Sequence, residues 1–470
     1  MKYVFRTMLL VLICLAAPCA YGQSASQPNV IIILTDDQGY GDVGFNGCTD
    51  IPTPNIDRIA KNGMVFSNGY VSYPVCGPSR AGLITGRYQD RFGFGRNPVL
   101  APEDSEMGLP LSEETLAKVL DKVGYQTMAI GKWHLGAHPT LHPLERGFDE
   151  FYGFLSGGHR YFPEDWTLPD LSHIKKQNDG YRTKLLSNHT RVEEKEYLTD
   201  ALSREAVEFV ERNQTQPFFL YLAYNAPHGP LQATQQYLDR FEHIQNKKRK
   251  TYAAMVSAVD DGVGTLLSKL ESLNMEENTI VFFLSDNGGP EKSNGSDNGP
   301  LREGKSSLFE GGVRVPFAVQ WPGQIPAGTV YDKAVISLDI FATAVAAAKA
   351  PTHPKRPLDG VNLLPYLKGK KSSAPHKQLY WRKFDQNWYI VRDGKSGHKM
   401  MVGPKETPEQ LYDVVGDIGE AENVVADYPK VLKRLERKRK SWLTELKDPT
   451  FMGLIQRKAY YKLKGYKRDE

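Results

Sequence analysis

Residues 29–37 read Asn-Val-Ile-Ile-Ile-Leu-Thr-Asp-Asp, an unbroken apolar run that ends in two carboxylates. An apolar strand without polar alternation suits a parallel sheet covered by helices on both faces. Residues 279–284 (Thr-Ile-Val-Phe-Phe-Leu) and the aromatic-rich segment 218–224 have the same texture. Helical patterns are predicted between such runs, notably over 111–123 and 249–273. The expected core is therefore a doubly wound α/β sheet. From about Ser373 the texture changes to short aromatic strands (378–383, 388–393, 399–403), followed by a charged helix over 429–446. That predicts a small antiparallel subdomain with a packing helix.

The 470 residues carry 59 Lys and Arg against 55 Asp and Glu, a formal charge of +4. With 24% charged residues, 24 Tyr, 20 Phe and 42 Gly, the chain is neither disordered, collagenous nor a multi-span membrane protein. So small a charge on so long a chain is no nucleic-acid signature. Lys2 and Arg6 precede an apolar run from Met8 to Ala17 and a small-x-small site at Ala20-Tyr21-Gly22. This predicts a signal peptide over residues 1–22 and a secreted or periplasmic protein with no membrane anchor. The rest divides into an expected catalytic α/β domain over 23–372 and an α+β subdomain over 373–470.

Removal of the leader would take Cys14 and Cys19 with it and leave Cys48 and Cys76. In an oxidising compartment these two offer a disulfide. Cys76 also lies at the start of a predicted helix, where Pro78 suits the first turn and Gly86 the exit. Free N–H groups there, with Arg80 one turn along, favour an anion. By itself Cys76 reads either as a low-pKa thiol or as an ordinary cysteine at a helix start.

Asp36-Asp37 and Asp286-Asn287 each follow an expected strand directly, and ligands of open α/β sheets bind beyond the carboxyl ends of the strands. Either pair alone reads as a turn or a helix cap. If the two strands are neighbours, the four side chains offer the hard oxygens that Ca²⁺ or Mg²⁺ requires. No Cys/His cluster has zinc spacing.

Cys76-Gly77-Pro78-Ser79-Arg80, continued by Ala81 and by Gly86-Arg87, resembles the signature of the type I sulfatase family. The resemblance extends in order through Asp36-Asp37 with Gly39-Tyr40-Gly41-Asp42, Gly131-Lys132-Trp133-His134-Leu135-Gly136, Gly147-Phe148-Asp149, Ala226-Pro227-His228, Ser285-Asp286-Asn287-Gly288, Gly304-Lys305 and Leu411-Tyr412-Asp413. Asp417-Ile418 departs from the Asp-Pro common in relatives, far from the chemistry.

The resemblance implies an alkaline-phosphatase-like fold: a central mixed, mostly parallel sheet flanked by helices, plus the small C-terminal antiparallel sheet. It implies that a maturation enzyme converts Cys76 to formylglycine, which displaces the disulfide reading. It also implies calcium ligands at Asp36, Asp37, Asp286 and Asn287; magnesium remains open on ligand type. One hydroxyl of the hydrated aldehyde would attack sulfur, and loss of a proton from the other would expel sulfate and restore the aldehyde. Lys132 is expected to bind sulfate oxygens, and His134, on the same face of an extended segment, to support the hydroxyl during breakdown. His228 and Lys305 would protonate or stabilise the leaving oxygen and neutralise the sulfate, and Arg80 would hold residue 76.

The expected activity is removal of sulfate from a carbohydrate, as in polysaccharide degradation, with sugar contacts at Arg96, His159 and Arg160. A phosphoester hydrolase of the same fold and a non-catalytic binder of sulfated glycan are the alternatives. The basic runs 247–250 and 437–440 read as solvated helix faces.

Overall fold

A computed structural model describes residues 27–353, 355–404 and 407–466; the leader expected at 1–22 lies outside them. The run that opens the chain forms the strand Asn29–Thr35, in which every residue is buried. Its side chains alternate between two cores: Val30, Ile32 and Leu34 enter one, Ile31 and Ile33 the other. Each such side chain contributes about 1.5–3 kcal/mol on full burial, so double-sided coverage makes this strand the anchor of the domain. It pairs in parallel with Phe218–Ala223 on one side and Thr279–Ser285 on the other. Gln126–Lys132 extends the parallel set beyond Phe218–Ala223, and Glu150–Phe154 continues it. Antiparallel strands at both margins complete a ten-stranded mixed sheet, mostly parallel at its centre and flanked by helices as expected.

Two predicted helices have different outcomes. The 249–273 pattern is realised as Lys247–Ser272, capped by Asn246, whose side chain accepts from the backbone of Lys248 and Arg249. The 111–123 pattern shortens to Leu116–Asp121. Thr115 explains the late start, because its hydroxyl accepts from Lys118 N and donates to the Arg146 carbonyl. The residues before it are therefore held as turns by a tertiary contact and not by helical periodicity.

The C-terminal strands Gln378–Lys383, Trp388–Asp393, His398–Val402 and Gln410–Asp413 form a four-stranded antiparallel sheet, against which Pro429–Leu443 packs. The last of these strands contains the Leu411-Tyr412-Asp413 motif. Trp381 Nε1 donates to Val71 O (2.7 Å), and Arg382 Nε to Asp90 Oδ1 (3.0 Å), tying this sheet to the loops around Cys76. A buried ionic staple makes the second tie. Lys399 Nζ lies 2.9 Å from Glu310 Oε1 and 2.8 Å from Glu420 Oε1, and all three side chains are fully buried. Among the described residues no helix is long and apolar enough to cross a membrane.

Removing the only lysine of this staple would leave two buried carboxylates facing each other. Lys399→Met is therefore expected to cost about 3–5 kcal/mol of stability, measured by urea unfolding. A loss below about 1 kcal/mol would show that Glu310 and Glu420 do not need that partner.

Candidate active site

Parallel register builds the site. Thr35 pairs with Ser285, and Asp286 N donates to Thr35 O at 2.9 Å, so Asp36 and Asp286 leave adjacent strands at the same level. Lys132 closes the strand Gln126–Lys132 on the other side of Phe218–Ala223, and His228 follows that latter strand by a short loop. Cys76 is the first residue of the helix Cys76–Thr85, all ten of whose residues are buried, and Gly86 ends it in the left-handed conformation (φ 65°). Lys305 arrives on a loop fixed at two points: Lys305 N donates to Gly289 O (3.3 Å) and Ser306 N to Pro74 O (2.8 Å).

These segments converge. Cys76 Sγ is 3.5 Å from Asp36 Oδ1 and 3.4 Å from Lys305 Nζ. Lys132 Nζ is hydrogen-bonded to Asp36 Oδ2. Arg80 Nε donates to Asp286 Oδ2 (2.8 Å), and its Nη1 to the Lys132 carbonyl (2.9 Å). Lys305 Nζ also meets Asp37 at 2.6 Å, and Asn287 Nδ2 donates to Asp37 Oδ1 (2.7 Å). Three carboxylates thus face three cations in a buried cup.

The cup's charges shift one another. Burial would protonate Asp36, but Lys132, His228, Arg80 and Lys305 outweigh it and hold the carboxylate well below the usual range. Burial and the nearby Asp36 charge push Asp286 the other way, up to about 6. Burial together with the charge of Asp36 pushes the Cys76 thiol up to about 12. That direction runs opposite to a reactive low-pKa thiol and favours the protonated form of this sulfur. Nor is it in a disulfide; Cys48 and Cys76 are both free, and the Cys48 thiol faces Asp50.

His134 differs from its expected setting. The strand ends at Lys132, and His134 takes a left-handed backbone (φ 57°), so it does not share an extended face with Lys132. It nonetheless remains within reach of the cup's charges: burial, Lys132 and Arg80 hold its pKa well below the ordinary value. Its ring fits only because residue 157 is glycine; a Cβ there would lie 2.7 Å from His134 Nε2. Its Nδ1 is buried without a partner among the described residues. His228 places Nδ1 2.6 Å from Gly229 O, which puts the proton of the neutral ring on Nδ1 and turns Nε2 toward Asp37 Oδ2, 3.7 Å away.

The expected sugar contacts fare unequally. His159 is fully buried, with Nδ1 and Nε2 each 2.8 Å from a backbone carbonyl, those of Arg160 and Thr183. That expectation is corrected: the ring packs under the loop and presents no edge to a ligand. Arg160 is paired with Asp165 at 3.1 Å and is partly exposed. Arg96 grips Asp385 and donates to Phe451 O (2.9 Å), so it builds a wall. Tyr181, absent from the sequence reading, stands edge-on to His228 with ring centroids 6.5 Å apart. Its phenol feels Lys132, Lys305 and residue 76. Gly158 makes room for it, since a Cβ there would lie 2.7 Å from Tyr181 Cζ. The Gly157-Gly158 pair was the available signal.

The donor set fits a divalent cation. One ligand atom from each of Asp36, Asp37, Cys76 and Asp286 lies within 4.8 Å of the others. Oxygens about 2.4 Å from a shared Ca²⁺ can be at most about 4.8 Å apart. Asn287 Oδ1 is buried with no hydrogen-bond partner, an acceptor left over for a cation.

Comparison with known proteins agrees with this geometry. Residues 28–350 match the sulfatase family model, and residues 304–448 match the model described as N-sulphoglucosamine sulphohydrolase, C-terminal. The chain is 36% identical over 401 residues to the human N-acetylgalactosamine-6-sulfatase, covering 78% of this chain and 74% of that protein. It also resembles the crystal structure of Ps i-CgsB in complex with k-i-k-neocarrahexaose (TM-score 0.86, 42% identity, 94% of this chain and 98% of that one). The PsFucS1 sulfatase from Pseudoalteromonas sp. follows at TM-score 0.76 and 26% identity, covering 89% and 90% of the two chains. By sequence, fold and the arrangement of its buried charges, this chain belongs to the sulfatase family.

Proposed function

We propose that this sulfatase removes sulfate from a sulfated carbohydrate, with residue 76 acting as formylglycine and a calcium ion held by Asp36, Asp37, Asp286 and Asn287. The observation that carries the mechanism is the placement of Cys76. Its side chain lies in contact with a carboxylate and a lysine, as a poorly ionised thiol. Such a thiol is a weak nucleophile in place, whereas a hydrated aldehyde would supply a hydroxyl for attack and a second hydroxyl for release. The carbohydrate assignment draws support from the relatives above, and it accords with the leader expected at 1–22, which would export the protein to where polymeric glycans are met.

The chain's own residues complete the chemistry. Lys132 and Lys305, desolvated and held protonated by Asp36 and Asp37, supply fixed positive charge to sulfuryl oxygens without solvent reorganisation. Arg80 is locked by Asp286 and the Lys132 carbonyl, so it orients both the carboxylate and the strand end that carries Lys132. His228, with its proton on Nδ1, presents Nε2 to the cup, where it can take up a proton and deliver it to the departing sugar oxygen. Tyr181 walls the cup beside it. A bound divalent cation would supply Lewis acidity and further charge neutralisation.

Three outcomes are expected. Protein made together with the maturation enzyme should carry an aldehyde at residue 76, detected with a hydrazine probe in the tryptic peptide; a peptide retaining only cysteine in active protein would contradict the proposal. Lys132→Ala should lower kcat/KM on a sulfate ester about 100-fold or more, and near-normal activity would remove Lys132 from the pocket. Chelation should abolish sulfate release, with recovery on adding Ca²⁺ or Mg²⁺ deciding between the ions; full activity after exhaustive chelation would exclude a metal. An aryl phosphate run beside the aryl sulfate separates this reading from a phosphoester hydrolase.

A further inference from the structure

A cleft of about 230 Å³ opens beside the cup, sharing Lys305 with it and reached past Val75, the residue before Cys76. Its floor is the loop that carries Lys305 and Ser306. Its far wall comes from the C-terminal part of the chain, the hairpin turn at 383–386 and the segment 453–456. Three distant stretches are bolted together to make this wall. Arg96 grips Asp385, Gln456 Nε2 donates to Asp385 Oδ2 (3.0 Å), and Leu454 N donates to Asn97 O (2.9 Å). The Arg96–Asp385 charges cancel, so this pair braces the wall without adding net charge to it.

What remains free in the cleft has a definite chemistry. Asn97 uses Oδ1 to accept from Gly77 N (2.8 Å), and its Nδ2 donors meet no acceptor among the described residues. The Ser306 hydroxyl and the Gln386 amide make no hydrogen bond within the described residues and line the same space. Ile455 offers an aliphatic face and is 78% exposed, an unusual setting for so apolar a side chain. Lys383 is buried, spends one N–H on Ser306 O and stands 5.4 Å over the Trp388 ring; Glu303 and Asp385 lie near enough to favour its charge, but among the described residues no carboxylate forms a direct ion pair with it. Neutral hydrogen-bonding groups, one aliphatic face and one lysine with no direct carboxylate partner suit a hydroxylated ring with one acidic substituent.

We propose that this cleft is a subsite for the saccharide unit next to the one that bears the scissile sulfate, with Asn97, Ser306 and Gln386 meeting its hydroxyls, Ile455 its apolar face, and Lys383 an anionic group on it, either a second sulfate or a carboxylate. The inference rests on the carbohydrate-sulfatase reading above and adds to it that the enzyme selects an oligomer over a single sugar. Because the cleft adjoins residue 76 through Asn97 and Lys305, a chain occupying it would also fix the orientation of the reacting ester.

The test compares kcat/KM of the matured protein on three substrates: a small aryl sulfate, a sulfated monosaccharide, and sulfated oligosaccharides whose neighbouring unit carries no anion, a second sulfate or a carboxylate. The wild type should prefer an oligosaccharide over the monosaccharide by about tenfold or more. Gln386→Trp, which fills the cleft, should lower the ratio of oligosaccharide to aryl sulfate turnover by about tenfold, mainly through KM. Lys383→Gln keeps a donor to Ser306 O and should erase the preference for whichever anionic neighbour the wild type favours. Equal wild-type turnover of monosaccharide and all oligosaccharides would overturn the subsite while leaving the sulfatase assignment intact. Hydrolysis of aryl sulfate alone, with no carbohydrate desulfated, would instead overturn the underlying function. An unchanged oligosaccharide-to-aryl ratio in Gln386→Trp would overturn the subsite even if the oligosaccharide preference holds.

Discussion

The in-register parallel pairing of Asn29–Thr35 with Thr279–Ser285 is the constraint on which the site depends. Each strand buries both faces, so neither can slip: a shift by one residue would exchange every side chain between the two cores. The polar residues that follow inherit this rigidity. Asp36 and Asp286 are brought together by the sheet, at the cost of concentrating negative charge, and Lys132 and Arg80 arrive from neighbouring elements to offset it. Site geometry is therefore a consequence of strand register more than of loop conformation, which is how catalytic groups on a rigid scaffold keep their precision.

Charge balance links the site to the rest of the molecule. Lys305 must reach both Asp37 and Cys76 from a loop that has no regular structure of its own. That loop runs into Glu310, one of the two carboxylates of the buried staple with Lys399. The small C-terminal sheet thus serves the chemistry twice: it clamps the loop that delivers Lys305, and its hairpin turn supplies the far wall of the adjoining cleft.

Much of this was legible from the chain because the physics involved is local. β-Branched runs announce the buried strands, and Asp-Asp or Asp-Asn directly after them marks the ligand end of the sheet. Elements set by distant contacts were not legible. The helix expected from residue 111 starts at Leu116 because Thr115 is held by Arg146, thirty-one residues away. His159, flanked by Gly158 and Arg160, reads as a sugar contact, yet the carbonyl of Thr183 draws it inside. Tyr181 lies in a 3-10 turn with no periodicity to flag it, and only the paired glycines at 157 and 158 betray the space it needs. The staple joins residues 310, 399 and 420, a pairing no pattern along the chain encodes.

The most direct test of the central claim, that separate strand ends close around residue 76 as one metal-bearing cup, is a crystal structure of the matured protein grown with Ca²⁺ and examined for anomalous scattering. The account predicts a single ion about 2.3–2.6 Å from oxygens of Asp36, Asp37, Asp286 and Asn287, with an oxygen of residue 76 beside it. A cup holding no ion, an ion bound elsewhere, or a sulfur still present at position 76 in active crystals would contradict it.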